Sequence, residues 1–377
     1  MKKYYLITPG PTPVPHRVAA RSSEPILHHR TKEFGEIFKA VQDGMKYVIK
    51  TKQNVMMLAG SGTSAMEAAV VNTLSPGDHV IVGSMGSFGE RFIKICEAFG
   101  VHVNAIREEW GTPVNPSKIE DALKKDPSVK AVLIQHTDTS STTLNDVKAV
   151  ADIVAKTPAI LIVDSVSGLG GEELHMDDWK IDVLVTGCQK GLMTAPGISM
   201  VAMSDKAWAH HKNAKCPRFS VDFSIIRAAI KDNETPWTPP VTLFLSLSEA
   251  LKMIREEGLE NTWARHKKLS AAARAGVEAL GFKLLSSRPA NVLTGAILPA
   301  GFDGTLLLRK MLDELGVSIA GGQEHLKGKI FRIAHMGYMN AFDLMIGFGA
   351  LEKTLADMGY KLPEPGKAIK LAQSALN

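Results

Sequence analysis

The sequence predicts an α/β fold: a large domain with a mostly parallel sheet flanked by helices, and a smaller α+β domain at the carboxyl end. Short apolar runs alternate with amphipathic stretches from about residue 54 onward, which is typical of parallel strands joined by covering helices. A proline-containing cluster at 236–240 interrupts this rhythm, and a mixed pattern of helices and short strands follows it.

Seven apolar runs are the candidate strands of the sheet. They read NVMMLAG, HVIVGS, VHVNAI, AVLIQH, AILIVD, DVLVTG and ISMVAMS. Between them lie helix candidates such as SAMEAAVVNTL, ERFIKICEAFG, SKIEDALKK and LNDVKAVADIVAK. The alternation of the two kinds of segment predicts helices on both faces of the sheet.

The chain divides into three predicted regions. Residues 1–20 form an arm, because four prolines within the first fifteen residues exclude a helix there and favour an extended segment on another surface. Residues 21–255 form the large domain and residues 256–377 the small one. After the proline cluster we expect one long helical stretch from TLFLSLSEAL to GVEAL, then strands at FKLLS, VLTGAIL and KIFRIAH, a helix at GTLLLRKMLDELG, and a loose helix in the tail.

Composition argues against several classes of protein. The 377 residues are 45% hydrophobic and 22% charged, with a net charge of +5 and no basic block, so nucleic-acid binding has little support. No stretch approaches the roughly 18 apolar residues of a membrane span, and prolines interrupt the N-terminal apolar run, so we expect neither a span nor a secretory signal. The 3 scattered cysteines predict no disulfide framework and no metal site, and they suit a reducing cytoplasm.

Two residues at predicted strand ends could carry chemistry. Lys190, in TGCQKGLMTAPG, falls just past the run DVLVTG, and Asp164 closes the run AILIVD; open α/β sheets place their sites at such ends. Taken singly, Lys190 is more often a solvated loop residue, and Asp164 a helix cap, a metal ligand or a turn residue. Together they fit pyridoxal 5′-phosphate (PLP), since lysine forms Schiff bases with carbonyl cofactors and a carboxylate holds the proton on the PLP ring nitrogen.

The segment MLAGSGTSAMEAAVVNTL predicts a strand, a turn of small residues and a helix. Ser61, Gly62 and Thr63 would then offer backbone N–H groups and two hydroxyls at a helix N-terminus, which is an anion site suited to a phosphate. Such residues more often cap a helix with no ligand at all. Neither G-x-x-x-x-G-K-[ST] nor G-x-G-x-x-G occurs, so nucleoside triphosphate or dinucleotide binding is not indicated.

Three further places could belong to the same site. The polar segment QHTDTSST, residues 135–142, follows the run AVLI, although an ordinary polar turn would look the same. Phe88 could stack on a flat ring, although a core phenylalanine is the commoner case. Arg332 lies inside the apolar run KIFRIAH, where a buried guanidinium needs an anionic partner. A substrate carboxylate and an internal salt bridge serve that need equally well.

Several motifs in a fixed order carry a resemblance that covers essentially the whole chain. They are TPGPTPVP, AGSGTSAMEAAV, QHTDTSST, VDSVSGLGG, TGCQKGLMTAPG, PWTPPVTLFLSLSEAL, GLENTWARH and FRIAHMG. In this combination the chain resembles the class V aminotransferases, which are PLP enzymes of fold type I. The nearest likeness is to the alanine–glyoxylate and serine–pyruvate aminotransferase group.

The resemblance implies PLP as the cofactor, with Lys190 and Asp164 as the catalytic residues. It implies that PLP is attached to Lys190, that Asp164 contacts the PLP ring nitrogen and that Phe88 stacks on the PLP ring. Gln189 and Thr139 are implied as further cofactor contacts, and the residues of the implied phosphate turn are Ser61, Gly62 and Thr63. For the substrate, the resemblance implies that Arg332 binds its carboxylate and that Gly10 borders its pocket.

The resemblance also implies a homodimer in which each subunit completes the other's phosphate site. Thr238, in the segment WTPP, matches the threonine that the partner contributes. Because Ser61 and Thr63 bring no cationic side chain, we expect further phosphate donors from elsewhere.

Five positions depart from the family pattern. Thr235 stands where a tyrosine is common, and Cys188 replaces the usual serine before Gln-Lys. In QHTDTSST, the residues that differ from the more usual HGESSTG form are Thr137, Asp138 and Thr142. The resemblance therefore does not determine the phosphate contact at Thr235 or the shape of the loop formed by QHTDTSST.

The activity that the resemblance implies is transamination between a small amino acid, alanine or serine, and a 2-oxo acid, glyoxylate or pyruvate. A different donor, such as aspartate or an aminophosphonate, is one alternative. A non-catalytic subunit that keeps the fold as an interaction module is another, although Lys190 and Asp164 argue against it. A cysteine desulfurase needs a nucleophilic cysteine in the C-terminal region, and the last cysteine here is Cys216.

Overall fold

The computed structural model describes residues 2–376. Up to the proline cluster and the helix after it, the elements are β1 (Tyr5–Leu6), α1 (His16–Arg21), α2 (Lys32–Ile49), β2 (Val55–Ala59), α3 (Gly62–Thr73), β3 (His79–Ser84), α4 (Ser87–Ala98), β4 (His102–Arg107), α5 (Pro116–Lys125), β5 (Ala131–Gln135), β6 (Thr137–Asp138), β7 (Thr143–Leu144), α6 (Val147–Val154), β8 (Ile160–Asp164), β9 (Val183–Gly187), β10 (Ile198–Met203), α7 (Asp205–His211), α8 (Phe223–Ile230) and α9 (Val241–Glu257).

The remaining elements belong to the carboxyl-terminal part of the chain. They are α10 (Leu259–Ala279), β11 (Lys283–Leu284), β12 (Leu293–Ile297), α11 (Gly304–Leu315), β13 (Val317–Ser318), β14 (Ala320–Gly321), a 3₁₀ turn (Glu324–Leu326), β15 (Ile330–Ala334), α12 (Ala341–Asp357), α13 (Lys367–Gln373) and a final 3₁₀ turn (Ser374–Leu376).

The central sheet has seven strands in the order β2-β10-β9-β8-β5-β3-β4. Strands β9, β8, β5, β3 and β4 run parallel, whereas β10 pairs antiparallel with both β2 and β9. The seven apolar runs of the sequence are these seven strands. Helices α3, α4, α5 and α6 connect the strands from β2 to β8, whereas β8, β9 and β10 follow one another without a helix. The predicted α/β class with a mostly parallel sheet is therefore confirmed.

A second sheet lies in the carboxyl-terminal part, and its four strands have the order β11-β12-β15-β14. All its pairings are antiparallel. Among residues 2–376, buried apolar side chains form one large core around the central sheet, a second core around this smaller sheet, and a small third cluster of Ala290, Val292, Leu293 and Met336. The division into domains at residue 255 stays a prediction, although the two cores agree with two folding units.

The N-terminal arm pairs with the smaller sheet region rather than extending alone. Strand β1 pairs in parallel with β13, and the carbonyl of Ile7 accepts a hydrogen bond from Ala334 N at 3.1 Å. Ile7 is buried in the second core. The arm therefore starts at the small core and runs from there toward the central sheet.

Two expectations for the helices were wrong in detail. The long helical stretch after the proline cluster is two helices, α9 and α10, which meet at Gly258. Gly258 has a φ of 85°, a conformation that ends a helix and that glycine adopts without steric cost. The tail helix α13 is not loose, because Ala368 and Ala372 are fully buried against the second core. Among the described residues, none of the helices combines the length and apolarity needed to cross a membrane.

Candidate active site

A cavity of about 250 Å³ lies beyond the carboxyl ends of β8 and β9. These strands are parallel neighbours, so the residues that follow them meet at one edge of the sheet. The residues that line the cavity are Gly10, Pro11, Ser61, Gly62, Thr63, Met66, Phe88, Arg91, Thr137, Asp164, Val166, Ser167, Gln189, Lys190 and Pro196. Eight of the eleven candidate positions taken from the sequence are in this set; Thr139, Thr238 and Arg332 are not.

Lys190 is the buried amine of this cavity. It follows β9 by three residues, its Nζ donates a hydrogen bond to the carbonyl of Pro9, and its own carbonyl accepts from Thr12 Oγ1 at 2.9 Å. Burial lowers the pKa of Lys190 to about 8, helped by the positive charges of Arg332 and Arg91 and opposed by Asp164. About a tenth of the amine is therefore neutral and nucleophilic at pH 7, far more than for an ordinary lysine.

Gly10 lets the arm pass directly over this amine. A Cβ at Gly10 would overlap with the side chain of Lys190, and its φ of 129° is one that L-residues rarely adopt. Both facts require glycine at this position. The arm thus covers one side of the amine and supplies, from Pro9, the acceptor that orients it.

Asp164, at the end of β8, is the buried carboxylate of the cavity. Its Oδ1 accepts from Val166 N at 2.9 Å. Burial raises the pKa of Asp164 to about 6; the nearby carboxylate of Asp138 also raises it, while the Val166 N–H and the charges of Arg91 and Lys190 oppose the shift. A cationic N–H placed against this carboxylate would remove much of the cost of burying its charge.

The turn before α3 presents an unused helix N-terminus to the cavity. Ser61 is the N-cap residue, with extended backbone, yet its side chain makes no capping hydrogen bond. A Cβ on Gly62 would lie 2.7 Å from Val166 Cγ2, so a side chain at this position would have to displace Val166. The hydroxyl of Thr63 accepts a hydrogen bond from Arg91 Nη1 at 3.0 Å. The commoner interpretation of Ser61, a plain helix cap, is therefore not what the structure has.

The loop after β5 holds helix α4 and its Phe88 in place. Asp138 is fully buried, and its Oδ2 accepts from the backbone N–H groups of Phe88 at 3.0 Å and Gly89 at 3.4 Å. Its Oδ1 accepts from Ser140 N at 2.9 Å. Asp138 thus caps the N-terminus of α4 from another part of the chain, a role that its neighbours in sequence did not reveal.

Arg332 lies on β15, behind the same loop. Its Nη1 donates to the carbonyl of Thr139 at 2.5 Å and its Nε to the carbonyl of Gly321 at 2.8 Å. Within residues 2–376 its hydrogen bonds go to these carbonyls and not to a carboxylate, so the salt-bridge interpretation does not hold for this part of the chain. Its Nη2 has no acceptor there either, and binding of a substrate carboxylate stays a prediction.

Thr139 and Thr238 are placed differently from the other candidates. Thr139 contributes its carbonyl to Arg332, and its contact with a cofactor stays a prediction. Thr238 is exposed and lines a separate cavity of about 270 Å³, formed with Thr235, Trp237 and the prolines of the same segment. Thr238 therefore does not reach the cavity of its own chain.

Seven of the residues that line the cavity are not among the candidates taken from the sequence, and two of them, Arg91 and Thr137, bear on its chemistry. Arg91 lies three residues after Phe88 on α4, and its guanidinium carbon is 4.7 Å from the centre of the Phe88 ring. Helical spacing from Phe88 could have identified it, because residues three apart share a helix face. Thr137 places a buried hydroxyl at the cavity that has no hydrogen-bond partner in residues 2–376. Thr137 lies in the polar segment 135–142 that the sequence indicates as a possible part of the site, and it departs there from the family pattern.

The groups around the cavity match the parts of PLP. Lys190 offers an amine for its aldehyde, Asp164 a carboxylate for its ring nitrogen, and Phe88 a flat ring beside it. Ser61 and Thr63 offer the helix end that a phosphate requires. The cavity volume of about 250 Å³ is just below the range of about 300 to 1,000 Å³ that is typical of ligand pockets, which suits a small cofactor. The residues present therefore fit this cofactor.

Comparison with known proteins agrees with the site. The family model described as Aminotransferase class-V matches residues 4–339. L-aspartate–glyoxylate aminotransferase from Paracoccus denitrificans is 34% identical over 98% of this chain and 95% of its own length. The small subunit of a soluble hydrogenase from a Synechococcus species is 39% identical over 100% of this chain and 99% of its own.

The fold has solved counterparts as well. The crystal structure of alanine–glyoxylate aminotransferase from a Nostoc species superimposes with a TM-score of 0.90 at 28% sequence identity. The superposition covers 94% of this chain and 96% of that one. The similarity therefore extends over both sheets and the cavity at the carboxyl ends of β8 and β9.

Proposed function

The chain belongs to the class V aminotransferase family, and we propose that it holds PLP on Lys190 and moves an amino group between a small amino acid and a 2-oxo acid. Alanine or serine is the proposed donor, and glyoxylate, which both aminotransferase relatives described above carry in their names, is the first acceptor to test. The observation that carries this proposal is the pairing of a buried amine and a buried carboxylate at the ends of adjacent parallel strands.

When bound, PLP supplies an electron sink for negative charge developing at the substrate carbon. Asp164 Oδ2, which has no hydrogen-bond partner among the described residues, would hold the proton on the ring nitrogen of the bound cofactor. Lys190 Nζ, whose pKa is lowered to about 8, moves a proton at the reacting carbon as a base that is partly neutral near pH 7. Arg332 Nη2 orients the substrate carboxylate. The arm at Gly10 covers Lys190 and excludes water from that side of the amine.

One experiment tests the activity and chooses the donor. The PLP-loaded protein is mixed with alanine, serine, aspartate or an aminophosphonate singly, and pyridoxamine 5′-phosphate and the released oxo acid are measured by chromatography. Alanine or serine should convert the cofactor fastest, and glyoxylate should restore it. Conversion by aspartate alone would assign the donor that the Paracoccus relative carries in its name. No conversion by any donor would contradict the proposal.

We propose further that the active unit is a homodimer with shared sites. Thr238 is exposed beside Trp237, which is 42% exposed, and the Trp237 ring lies 5.3 Å from that of Phe219, which is 71% exposed. This apolar surface suits a two-fold interface that would carry Thr238 to the partner's phosphate turn.

A mixing experiment tests the shared site. Lys190→Ala and Thr238→Val chains are each expected to be weakly active alone. Their heterodimer has one site with both defects and one with neither, so activity should rise on mixing. The control is the Lys190→Ala protein alone, measured at the same total protein concentration. A fully active monomer at nanomolar concentration would contradict the dimer.

A second candidate function, an interaction subunit without catalysis, is favoured by one observation: the hydrogenase-subunit name of a relative that matches the whole chain. The buried amine, the buried carboxylate and the helix end of the cavity argue for catalysis instead. An absorbance spectrum of the purified protein distinguishes the two functions. An enzyme should take up PLP and show the absorbance of PLP linked to lysine, whereas a colourless protein that does not bind PLP would favour the interaction subunit. We also propose a cytoplasmic location, which the three free cysteines support.

A further inference from the structure

Arg91 connects two parts of the cofactor cavity. Its Nη1 donates to Thr63 Oγ1 at 3.0 Å, at the N-terminus of α3, and its guanidinium carbon lies 4.7 Å from the centre of the Phe88 ring. It is half-buried and lines the cavity together with Ser61 and Gly62. The guanidinium therefore stands at the candidate phosphate turn.

This guanidinium forms no ion pair with any of the described residues. Within residues 2–376 no carboxylate lies within the 4.0 Å that defines an ion pair, and the adjacent acid Glu90 pairs with Arg107 at 2.9 Å instead. Only Nη1 of Arg91 has an acceptor in this part of the chain. A helix N-terminus is itself positive, so two positive groups face one another here and an anion between them would be stabilised by both.

The segment at Thr235 strengthens the need for such a cation. Thr235, which stands where the family commonly has a tyrosine, donates its hydroxyl proton to the carbonyl of Trp237 at 2.8 Å. Its hydroxyl is thus occupied within its own segment and does not replace the tyrosine as a phosphate donor. A PLP phosphate carries close to two negative charges, and Ser61 and Thr63 offer only neutral donors.

We propose that Arg91 is the cation of the phosphate site and takes the place of the missing tyrosine donor. The inference rests on the proposed function, because it requires PLP as the ligand. A substrate carboxylate is the other anion that could meet Arg91, but the bond to Thr63 puts the guanidinium at the helix end. Packing on Phe88 fixes the same side chain from its other face.

The test compares PLP with pyridoxal, which lacks the phosphate. Apo-protein with Lys190 intact is titrated with each compound, and binding is followed by absorbance and by quenching of tryptophan fluorescence. Arg91→Gln should weaken PLP binding about 10- to 100-fold, the range for loss of a charge-assisted hydrogen bond, and change pyridoxal binding less than about threefold. Arg91→Lys keeps the positive charge but loses the planar guanidinium, so its affinity for PLP should lie between those of the wild-type protein and Arg91→Gln.

Lys94→Gln is the matched control. Lys94 lies on the same helix, one turn further on, and is exposed, so its loss removes one positive charge away from the cavity. It should bind PLP as the wild-type protein does, and thermal denaturation should show that all variants fold. Equal losses for PLP and pyridoxal, or no loss for PLP, would overturn the role of Arg91. Failure of the wild-type protein to bind PLP would instead overturn the proposed function itself.

Discussion

Two buried polar clusters of this protein use similar side chains and are completed differently. In the junction cluster, between the two sheets, both carboxylate oxygens of Glu172 accept hydrogen bonds from Asn291, through its backbone N–H and its side-chain amide. The side-chain carbonyl of Asn291 in turn accepts from Ser270 at 3.1 Å and from Arg274 at 3.3 Å. In this cluster the protein supplies the partners of the carboxylate itself.

The cavity cluster, formed by Asp164, Lys190, Thr137 and Arg91, is left incomplete. Asp164 and Lys190 each have one backbone partner, and the Thr137 hydroxyl has none among the described residues. Burial shifts the pKa values in both clusters, to about 7 for Glu172 and about 6 for Asp164. Burial therefore does not distinguish a structural cluster from a binding site, whereas the presence or absence of internal partners does.

The largest expected effect is that of Lys190→Ala in the cavity cluster. Transamination should fall at least about 10⁴-fold, because the amine both holds the cofactor and carries the proton. Borohydride reduction followed by mass spectrometry should find no PLP adduct. A variant that still forms a borohydride-reducible link to PLP would show that another lysine is the attachment point.

Asp164→Asn should reduce turnover by about 10²- to 10³-fold while PLP still binds, since an amide does not stabilise the positive ring nitrogen as a carboxylate does. Steady-state kinetics with saturating PLP measures the loss, and absorbance measures the bound cofactor. Turnover close to that of the wild-type protein would remove Asp164 from the mechanism.

Lys190→Met tests whether the incomplete cluster costs stability. The pKa of Lys190 is lowered from 10.5 to about 8 by burial, so between these values the unfolded chain holds a proton that the folded protein has released. The free energy of unfolding of the apo wild type should therefore rise with pH across this window, relative to the variant. The variant should be more stable by up to about 3 kcal/mol at pH 7, measured by urea denaturation.

The stability of Lys94→Met provides the comparison for that experiment. Lys94 is exposed, so its replacement should leave the pH dependence of the wild type unchanged. Equal pH profiles for the wild type and Lys190→Met would mean that the buried amine has no energetic cost, and the contrast between the two clusters would lose its basis.

Glu172→Ala should break the junction cluster and leave the cavity intact. The two donors of Asn291 would lose their acceptor, so the protein should lose about 2 kcal/mol of unfolding free energy, while the folded fraction keeps its affinity for PLP. Glu173→Ala is the matched control, because the Glu173 side chain is 64% exposed. A loss of PLP affinity without a loss of stability would place Glu172 in the active site instead.

The smallest expected effect is that of the substitution Arg332→Lys. Arg332 resembles both clusters, because part of its guanidinium has partners in the protein and part has none among the described residues. Two of its nitrogens donate to carbonyls of the protein, and Nη2 is left for a ligand. The change should raise KM for amino and oxo acids about tenfold, with kcat and PLP affinity retained, since lysine loses the planar fork. Unchanged KM for several substrates would make Arg332 a purely structural residue.

Much of the site could be predicted from the sequence because the relevant signals are local. Each apolar run is a strand, and in a parallel sheet the residues that follow neighbouring strands meet at one edge. The sequence therefore predicts that Asp164 and Lys190 share one site. The small-residue turn at Ser61 was likewise visible, as a strand followed directly by a helix.

Tertiary structure decided which groups have partners. The hydrogen bond from Arg91 to Thr63, the capping of α4 by Asp138 and the pairing of Glu172 with Asn291 all join segments that lie far apart in the chain. Periodicity reports only whether a side chain is buried. It does not report what the side chain meets there, because that depends on how separate helices and strands pack. The incomplete cavity cluster and the completed junction cluster look alike in sequence for this reason.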